Sequence, residues 1–270
     1  MKAEDMILYT DMDGTALSDW ELGPYVPEQN LQAIRYFTEA GGLFSVASGR
    51  LLDSILKWFP EGLINAPVVC SNGSLLQDPV TREILYGRQL PRDYLTQALD
   101  FTAQHLEDVT LLTANEEAIW HVEIEKGQAD ADGWLRRTMT PEDYLAGSCF
   151  KICYILRDPN MLDSVTEQVS RFPQADQVTA VASAPTCLEI IPKGINKALG
   201  TRQAQQLAGA RNRTLVCIGD FYNDLEMLRE ADIAACPAQS PKEIQDLCQI
   251  HCCHNNNGAI ADLLRQLLTE

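Results

Sequence analysis

The sequence is short of basic residues. Its 270 residues include 21 lysines and arginines against 38 aspartates and glutamates, which gives a formal net charge of −17. Nucleic acids and anionic membrane surfaces bind proteins through basic patches, so this excess of acidic residues argues against both as partners. We therefore expect no nucleic-acid partner and no membrane partner.

Long apolar runs and a basic, apolar leader are also lacking, which predicts neither a membrane span nor a signal peptide. The sequence has no internal repeat of fixed period and no low-complexity tract. Its nine cysteines are an odd number, and Cys70, Cys153, Cys187 and Cys217 lie in apolar, strand-like runs. Reduced, buried thiols fit this pattern better than disulfides do, and we expect a cytoplasmic protein.

Zinc-binding spacing is missing as well. The segment from Cys248 to His254 collects three cysteines and two histidines, but its spacing matches none of the paired patterns of zinc sites. We interpret this segment as a surface loop before the last helix.

Paired carboxylates follow two patterns typical of buried strands. The motif DMDGT at residues 11–15 comes after the apolar run at 6–8, and GDFYND at 219–224 follows a second run at 214–218. Aspartate disfavours strand interiors, and an ionised carboxylate stays buried only when something compensates its charge. The two motifs therefore indicate one shared site that binds a cation or handles phosphate.

Strand-like and helix-like segments alternate in both end regions. After the first strand, Pro27 opens a helical pattern that stops at Gly41-Gly42, a strand at 43–47 precedes a helical pattern at 52–59, and a third strand covers 66–70. Later segments predict a helix at 196–207, a strand at 214–218, a helix at 225–229 and a short strand at 233–235. This alternation predicts an α/β protein with a Rossmann-like parallel-sheet core.

The pattern changes between about residues 90 and 189. Strand-like runs at 109–113 and 118–122 are close enough to be antiparallel, and further strands are expected at 151–156, 177–182 and 187–191. Helical patterns cover about 95–106 and 160–171. We interpret this region as an inserted α+β cap domain at 88–189, between the two parts of a discontinuous core at 1–87 and 190–270. Trp120, His121 and Trp134 fall in the cap, where packing is their expected role.

Polar residues at the ends of predicted parallel strands are expected to converge, because ligands of open sheets gather at the carboxyl ends of the strands. These residues are Asp11, Asp13, Ser48, Asn72, Asp220 and Asp224. Four carboxylates and a substrate phosphate would repel one another without strong compensation. Mg²⁺, which binds carboxylates, waters and phosphate oxygens, fits this set, and Lys197 at the start of a predicted helix adds a positive charge.

In this order and spacing, the motifs resemble those of the haloacid dehalogenase superfamily, and specifically its Cof-like, type IIB, phosphatases. DMDGT resembles the first motif, Ser48-Gly49-Arg50 the second, Lys197 the third and GDFYND the fourth. The run LEIIPKG at 188–194 is also similar to that branch, which has its cap between the second and third motifs. The resemblance covers nearly the whole chain. One departure is CPAQ at 236–239, where the family often has an Asn-Ala pair.

The resemblance implies a Mg²⁺-dependent phosphatase of small phosphorylated metabolites, with sugar phosphates favoured and with a cap that closes over the site. Asp11 would form an aspartyl-phosphate, and Asp13 would protonate the leaving alcohol and then activate water. The implied metal ligands are the carboxylates of Asp11 and Asp220 and the backbone carbonyl of Asp13, with Asp224 in support. The implied phosphate-binding residues are Ser48, Gly49, Lys197 and Asn223, and the implied further substrate contacts are Arg50 and Asn72.

Other interpretations of these residues stay open at this point. The structural alternatives are a turn for Asp11, Asp13 and Asn72, helix capping for Ser48, Asp220 and Asp224, a surface ion pair for Arg50, and Lys193 in place of Lys197. A phosphomannomutase-like phosphotransferase would use the same aspartyl chemistry, and a phosphometabolite-binding regulator would bind without turnover. Neither the substrate nor the oligomeric state follows from the sequence.

Overall fold

The computed structural model describes residues 1–19, 23–124 and 137–268, so Trp134 lies outside the described residues. The chain divides into two compact units, one made of Met1–Tyr86 with Asn196–Glu270 and the other of Gly87–Ile195. The boundary expected between residues 189 and 190 falls inside a strand, Cys187–Pro192. The assignment of the two units as catalytic core and closing cap stays a prediction.

In the described part of the chain, the strands are β1 (Met6–Thr10), β2 (Leu43–Val46), β3 (Val68–Cys70), β4 (Leu75–Gln77), β5 (Ile84–Gly87), β6 (Val109–Ala114), β7 (Ile119–Val122), β8 (Thr138–Met139), β9 (Lys151–Leu156), β10 (Val178–Ala184), β11 (Cys187–Pro192), β12 (Thr214–Ile218), β13 (Ile233–Cys236) and β14 (Ile250–His251). The α-helices are α1 (Glu28–Glu39), α2 (Leu52–Leu56), α3 (Arg92–Gln104), α4 (Pro141–Ala146), α5 (Leu162–Val169), α6 (Lys197–Leu207), α7 (Leu225–Glu230), α8 (Lys242–Leu247) and α9 (Ala259–Leu267).

A five-stranded parallel sheet organises the first unit. Its strand order is β14-β13-β12-β1-β2, and every neighbouring pair is parallel. All five residues of the central strand β1 are buried, as expected for a strand covered on both faces, which is why its sequence is an apolar run rather than an alternation. The predicted α/β class with a parallel-sheet core is confirmed.

The third predicted strand does not extend this parallel sheet. β3 pairs antiparallel with β4 in a separate sheet of order β3-β4-β5, and a single parallel bridge joins Ala47 to Val69. A 3-10 turn at Ser71–Gly73 reverses the chain immediately after β3, so that Leu75 pairs with Cys70. Gly73 has a φ of 102°, a conformation that glycine adopts readily. The predicted third strand is therefore present as β3 and its bridge to Ala47 is parallel, but its ladder pairing is with β4 rather than with the parallel sheet.

The loop after β2 also differs from the expectation. Ser48 and Gly49 were expected at a helix N-terminus, but α2 begins only at Leu52 and covers five residues. The carbonyls of Ser48 and Arg50 instead accept hydrogen bonds from the backbone N–H groups of Asn72 and Ser71, at 2.9 and 3.1 Å. The loops after β2 and β3 thus bind each other through their backbones, and Ser48 does not cap a helix.

The second unit contains a six-stranded sheet of order β10-β11-β9-β6-β7-β8. β6 and β7 are antiparallel, as predicted, and among the described residues only the β7–β8 pair of this sheet is parallel. Alternate residues of β9 and β11, such as Tyr154 and Ile190, pack in one apolar core with Tyr94 of α3. Because side chains alternate along a strand, Lys151, Cys153 and Glu189 lie on the other face of this sheet.

The helices of the described residues include none that combines the length and the apolar character needed to cross a membrane.

Candidate active site

The two acidic motifs come together because they follow neighbouring parallel strands. β1 pairs with β12 in a register that places Thr10 opposite Ile218, and the Asp11 N–H continues the ladder by donating to the Ile218 carbonyl at 2.9 Å. Carboxylate oxygens of Asp11, Asp220 and Asp224 lie within 4.8 Å of one another. We call these three residues the acidic cluster.

Lys197 places its ammonium group in the acidic cluster. Its Nζ donates to Asp11 Oδ1 at 2.5 Å and to Asp224 Oδ1 at 2.7 Å, and only 1% of the lysine side chain is exposed. Asn196 fixes the start of α6, because its side-chain oxygen accepts the Leu199 N–H at 2.8 Å. This cap makes Lys197 the first residue of the helix.

Both carboxylate oxygens of Asp224 accept hydrogen bonds from protein donors. Its Oδ1 accepts from Lys197, and its Oδ2 accepts the backbone N–H groups of Asp220 at 3.1 Å and Phe221 at 3.3 Å. The carboxylate thus fixes the loop that carries Asp220. This arrangement suits a residue that supports the site better than one that binds a metal directly.

Thr15 and Gly14 shape the environment of Asp220. The Thr15 hydroxyl donates to Asp220 Oδ1 at 2.9 Å. Gly14 has a φ of 79°, and a Cβ at this position would overlap the Asp220 carboxylate. Only glycine meets both requirements, so the first motif and the fourth fit together through this residue.

Burial and mutual repulsion make the cluster costly to ionise. Burial, then repulsion by Asp224, raises the pKa of Asp11 well above its usual value, although Lys197 opposes the shift. The same two causes raise the pKa of Asp220 to about 6, although Thr15 and Lys197 lower it. Burial lowers the pKa of Lys197, but attraction by Asp11 and Asp224 outweighs it and raises the pKa overall. The lysine is therefore charged at neutral pH.

Asp13 is held by Arg50. The guanidinium donates from Nε to Asp13 Oδ2 at 2.8 Å and from Nη2 to Asp13 Oδ1 at 2.6 Å, a two-point contact that fixes the plane of the carboxylate. The Asp13 side chain is 43% exposed and that of Arg50 is 17% exposed. Asp13 thus faces solvent more than Asp11 does.

The other expected phosphate contacts are distributed unevenly. Ser48 is buried, and its Oγ accepts the Arg50 N–H at 3.2 Å. A Cβ added to Gly49 would come 3.2 Å from the Asn72 side chain, and Asn72 itself has a left-handed φ of 56°. Asn223 is exposed. These residues thus lie on separate loops. The backbone hydrogen bonds described above join two of them, the loops after β2 and β3.

Two further contacts were not anticipated from the sequence. The first is the hydrogen bond from the Thr15 hydroxyl to Asp220. Thr15 belongs to the first motif and directly follows Gly14, and this position was the sequence signal that could have indicated the contact. Gln239 donates from Nε2 to the Gly14 carbonyl at 2.6 Å and belongs to the CPAQ segment. Nothing in the local pattern around Gln239 indicated this contact, because it links positions 225 residues apart.

Lys193, the alternative to Lys197, is exposed.

The segment from Cys248 to His254 was expected to be a surface loop, but it contains β14, an edge strand of the parallel sheet, and both Cys248 and Cys252 are buried. Its cysteines and histidines do not form one of the metal-type groups found among the described residues. Among the described residues, the two groups suited to a metal ion are the acidic cluster and a set formed by Cys153, Cys187 and Glu189. His251 Nε2 instead contacts the Gln245 carbonyl, and His254 accepts the Asn256 N–H.

The donor set of the acidic cluster fits Mg²⁺. Three carboxylates and one ammonium leave an excess of two negative charges at a largely buried site. The ligands are oxygens, as a hard dication requires. Both oxygens of Asp224 accept hydrogen bonds from protein donors, whereas the Lys197 ammonium engages Asp11 through Oδ1. The residues that suit direct coordination are therefore Asp11 and Asp220.

Comparison with known proteins identifies the family. The model of the haloacid dehalogenase-like hydrolases matches residues 8–264. The Bacillus subtilis protein YxeH is 26% identical, over 97% of this chain and 98% of its own, and the B. subtilis 5-amino-6-(5-phospho-D-ribitylamino)uracil phosphatase YcsE is 23% identical, over 84% of this chain and 81% of its own. A solved sugar phosphatase of haloacid dehalogenase subclass IIB has the same fold, with a TM-score of 0.76, 17% identity, and coverage of 97% of this chain and 98% of its own.

Proposed function

Because the chain belongs to the haloacid dehalogenase-like hydrolases, we propose that it is a Mg²⁺-dependent phosphatase that forms an aspartyl-phosphate on Asp11. The observation that carries this proposal is the buried Asp11 carboxylate, which contacts Lys197 at 2.5 Å beside Asp220 and Asp224. A buried carboxylate with one ammonium partner and two acidic neighbours is unfavourable as a purely structural feature. It is what a phosphoryl-transfer site requires.

Asp11 is the nucleophile of the proposed reaction. One of its oxygens forms a bond to phosphorus, and the bond from phosphorus to the leaving alcohol breaks. Lys197 orients Asp11 through its hydrogen bond to Oδ1. The positive charge of Lys197 also stabilises negative charge that accumulates on the phosphoryl oxygens.

Asp13 is the proton donor and acceptor. It gives a proton to the leaving alcohol oxygen and then accepts one from the water that hydrolyses the aspartyl-phosphate. Its exposed side chain suits exchange of the proton with solvent. Arg50 positions Asp13 by donating to both of its oxygens.

Mg²⁺ would be bound by the carboxylates of Asp11 and Asp220 and by the backbone carbonyl of Asp13, with Asp224 supporting Asp220 through the loop amides. When bound, it neutralises the excess negative charge and attracts phosphoryl oxygens. Thr15 orients Asp220 for this role through its hydrogen bond to Oδ1.

Ser48, the Gly49 amide, Lys197 and Asn223 are the proposed phosphate-binding groups, with Arg50 and Asn72 as further substrate contacts. Support for Ser48, Gly49, Arg50 and Asn72 comes from the loops after β2 and β3, whose backbones are joined next to these four residues. Ser71 and Asn72 both have positive φ values, 47° and 56°, which is strain of the kind found at functional sites.

The proposed substrates are small phosphate monoesters of polyhydroxylated alcohols, sugar phosphates first. The relatives support this class, since the name of one includes a phosphoribityl group and that of another a sugar. The nine thiols, all in the described part of the chain and none joined in a disulfide, support a cytoplasmic enzyme.

A phosphate-release screen tests the proposal. Sugar phosphates, nucleotides and phosphorylated cofactors are assayed with Mg²⁺ and with a chelator, and we expect Mg²⁺-dependent release of inorganic phosphate without an acceptor sugar. Release that requires an acceptor would favour a phosphotransferase, and binding without release would favour a regulator. Asp11→Asn should abolish release while circular dichroism stays unchanged; near-normal turnover would exclude Asp11 as the nucleophile.

A further inference from the structure

The six-stranded sheet of the second unit carries two cysteines and a glutamate on the face opposite its apolar core. Cys153 of β9 lies opposite Glu189 of β11, and Cys187 of β11 lies opposite Ile155. Cys187 is thus diagonal to Cys153, two residues along β11 from Glu189. All three side chains lie on one face of the sheet because the register keeps alternation in phase.

The ligand-type atoms of these three residues converge. The sulfurs of Cys153 and Cys187 and a carboxylate oxygen of Glu189 lie within 4.8 Å of one another. Glu189 Oε1 also accepts a hydrogen bond from Lys151 Nζ at 2.9 Å and lies 3.9 Å from Cys153 Sγ. Two thiols, one carboxylate and one ammonium therefore form a single polar group on this face.

The diagonal register favours a shared ion over a disulfide. Diagonal neighbours on antiparallel strands have Cα atoms about 7–8 Å apart, whereas disulfide-bonded cysteines usually have them about 4.4–6.8 Å apart. The two thiols, which are hydrogen-bonded to each other without a metal, are therefore better placed to share an ion than to form a disulfide.

We propose that Cys153, Cys187 and Glu189 bind one Zn²⁺ ion, with the fourth tetrahedral position taken by water. Sulfur ligands select zinc over Mg²⁺, which prefers oxygen alone, and three protein ligands with an open position are a known zinc arrangement. This site is distinct from the acidic cluster, which belongs to the other unit and offers only oxygen. It does not depend on the proposed phosphatase activity.

The net charge of this site is zero when zinc is bound. Both thiols give up their protons to solvent, and the two thiolates and Glu189 then carry three negative charges. Zn²⁺ and the ammonium of Lys151 supply three positive charges, so the group is neutral. Lys151 is placed to supply its charge because its Nζ contacts Oε1 of Glu189. No oxidation or reduction takes part in binding.

Cobalt substitution in the full-length protein tests this site. The protein is stripped of metal under reducing conditions and titrated with Co²⁺, whose bonds to thiolates give a charge-transfer absorption band. We expect the band to saturate at one Co²⁺ per chain and to disappear on addition of one equivalent of Zn²⁺. Cys153→Ser and Cys187→Ser should each reduce the band by about half or more and weaken zinc binding at least tenfold.

Matched variants separate this site from others. Cys253→Ser, in the cysteine-rich segment of the first unit, and Asp220→Asn, in the acidic cluster, should both keep the full band. Glu189→Gln changes no thiol, and it should keep the band but weaken zinc affinity. Absence of a band in the reduced wild-type protein would overturn the proposal. So would an unchanged band in both Cys153→Ser and Cys187→Ser, or loss of the band in Cys253→Ser. Circular dichroism verifies that each variant is folded.

Discussion

Lys197 and Asp11 form a buried ion pair, with Nζ of the lysine 2.5 Å from Oδ1 of the aspartate. The same ammonium contacts Asp224 at 2.7 Å, so one cation contacts two carboxylates that follow strands neighbouring in the sheet but distant in sequence. Removing one partner of a buried pair leaves an uncompensated charge, which costs about 3–5 kcal/mol. The stability of the metal-free protein and, in the proposed mechanism, the reactivity of Asp11 thus depend on the same lysine.

Lys197→Met, which keeps most of the side-chain volume, should lower the free energy of unfolding of the metal-free protein by about 3–5 kcal/mol at neutral pH and should abolish turnover. Urea denaturation in a chelator and a phosphate-release assay measure the two effects. Lys193→Met, at an exposed position, is the control and should change neither quantity. Wild-type turnover in Lys197→Met would contradict the role of the lysine.

Gly14→Ala should impair metal binding beyond the cost of backbone strain. Alanine at a φ of 79° is strained by about 1–2 kcal/mol, and its Cβ would also displace the Asp220 carboxylate. Gly62 has a nearly identical φ of 77°, and a Cβ there would meet nothing within 4 Å, so Gly62→Ala carries the strain alone. Calorimetric Mg²⁺ titration should show weakened binding in Gly14→Ala and unchanged binding in Gly62→Ala. Equal Mg²⁺ affinity in both variants would refute the contact with Asp220.

Asp220→Asn should stabilise the metal-free protein above pH 6. The pKa of Asp220 is about 6 in the folded state, against about 3.9 for an ordinary aspartate, so between these values the folded chain binds more protons than the unfolded chain. The contribution of Asp220 to the wild-type free energy of unfolding therefore falls as pH rises from about 4 to 6 and then levels off. Asparagine lacks this penalty, and we expect an advantage on the order of 3 kcal/mol at pH 7 that vanishes towards pH 4.

Thermal and urea denaturation in a chelator, followed from pH 4 to 7.5, measure this difference. Added Mg²⁺ at about 1,000 times its dissociation constant should reverse the order, because it then stabilises the folded wild-type protein by about 4.1 kcal/mol and the variant lacks one of the proposed metal-binding carboxylates. Parallel pH profiles for the two proteins would show that Asp220 does not carry the raised pKa.

Arg50→Lys should lower kcat roughly 10- to 100-fold, because a lysine ammonium lacks the fork that contacts both oxygens of Asp13. Asp13→Asn should cost more, about 10²–10⁴-fold, as loss of a general acid–base does. If Arg50 acts by positioning Asp13, the double variant is no slower than Asp13→Asn alone. Additive losses would instead mean that Arg50 acts directly on substrate. Arg82→Lys, which alters an exposed ion pair with Asp53, is the control.

The sequence predicted β1, β2, β12 and β13 of the parallel sheet because a continuous apolar run is typical of a buried parallel strand, whereas the two-residue edge strand β14 lies in a segment that was expected to be a surface loop. β12 and β9 have the predicted bounds, Thr214–Ile218 and Lys151–Leu156. The hairpin sheet of β3, β4 and β5 was not predicted, because strands of three or four residues show too little periodicity. Its pairing depends on the tight turn at Ser71–Gly73.

The contacts of the candidate site were likewise predictable from the sequence only in part. Strand-end geometry placed Asp11 and Asp220 near each other, since parallel neighbours end at one edge of the sheet. The contacts of Thr15 with Asp220 and of Arg50 with Asp13 depend on side-chain conformations that no spacing rule encodes. Ser48 was expected at a helix start, but the backbone of the Ser71–Asn72 loop takes the carbonyl groups that a longer helix would have used. Loop-to-loop hydrogen bonds of this kind have no signature in either segment alone.

The most direct test of the central claim is to detect the phosphoryl group on Asp11. We expect Asp13→Asn to slow hydrolysis of the aspartyl-phosphate, and because the variant also lacks the proposed general acid of the first step, it is mixed with Mg²⁺ and a phosphate ester whose leaving group needs no proton, quenched in acid and digested for mass spectrometry. We predict that the peptide containing residue 11 carries one added phosphoryl group at Asp11, and that the adduct is absent from a parallel Asp11→Asn, Asp13→Asn sample. Turnover by the wild-type enzyme with no adduct, or an adduct on any other residue, would contradict the account.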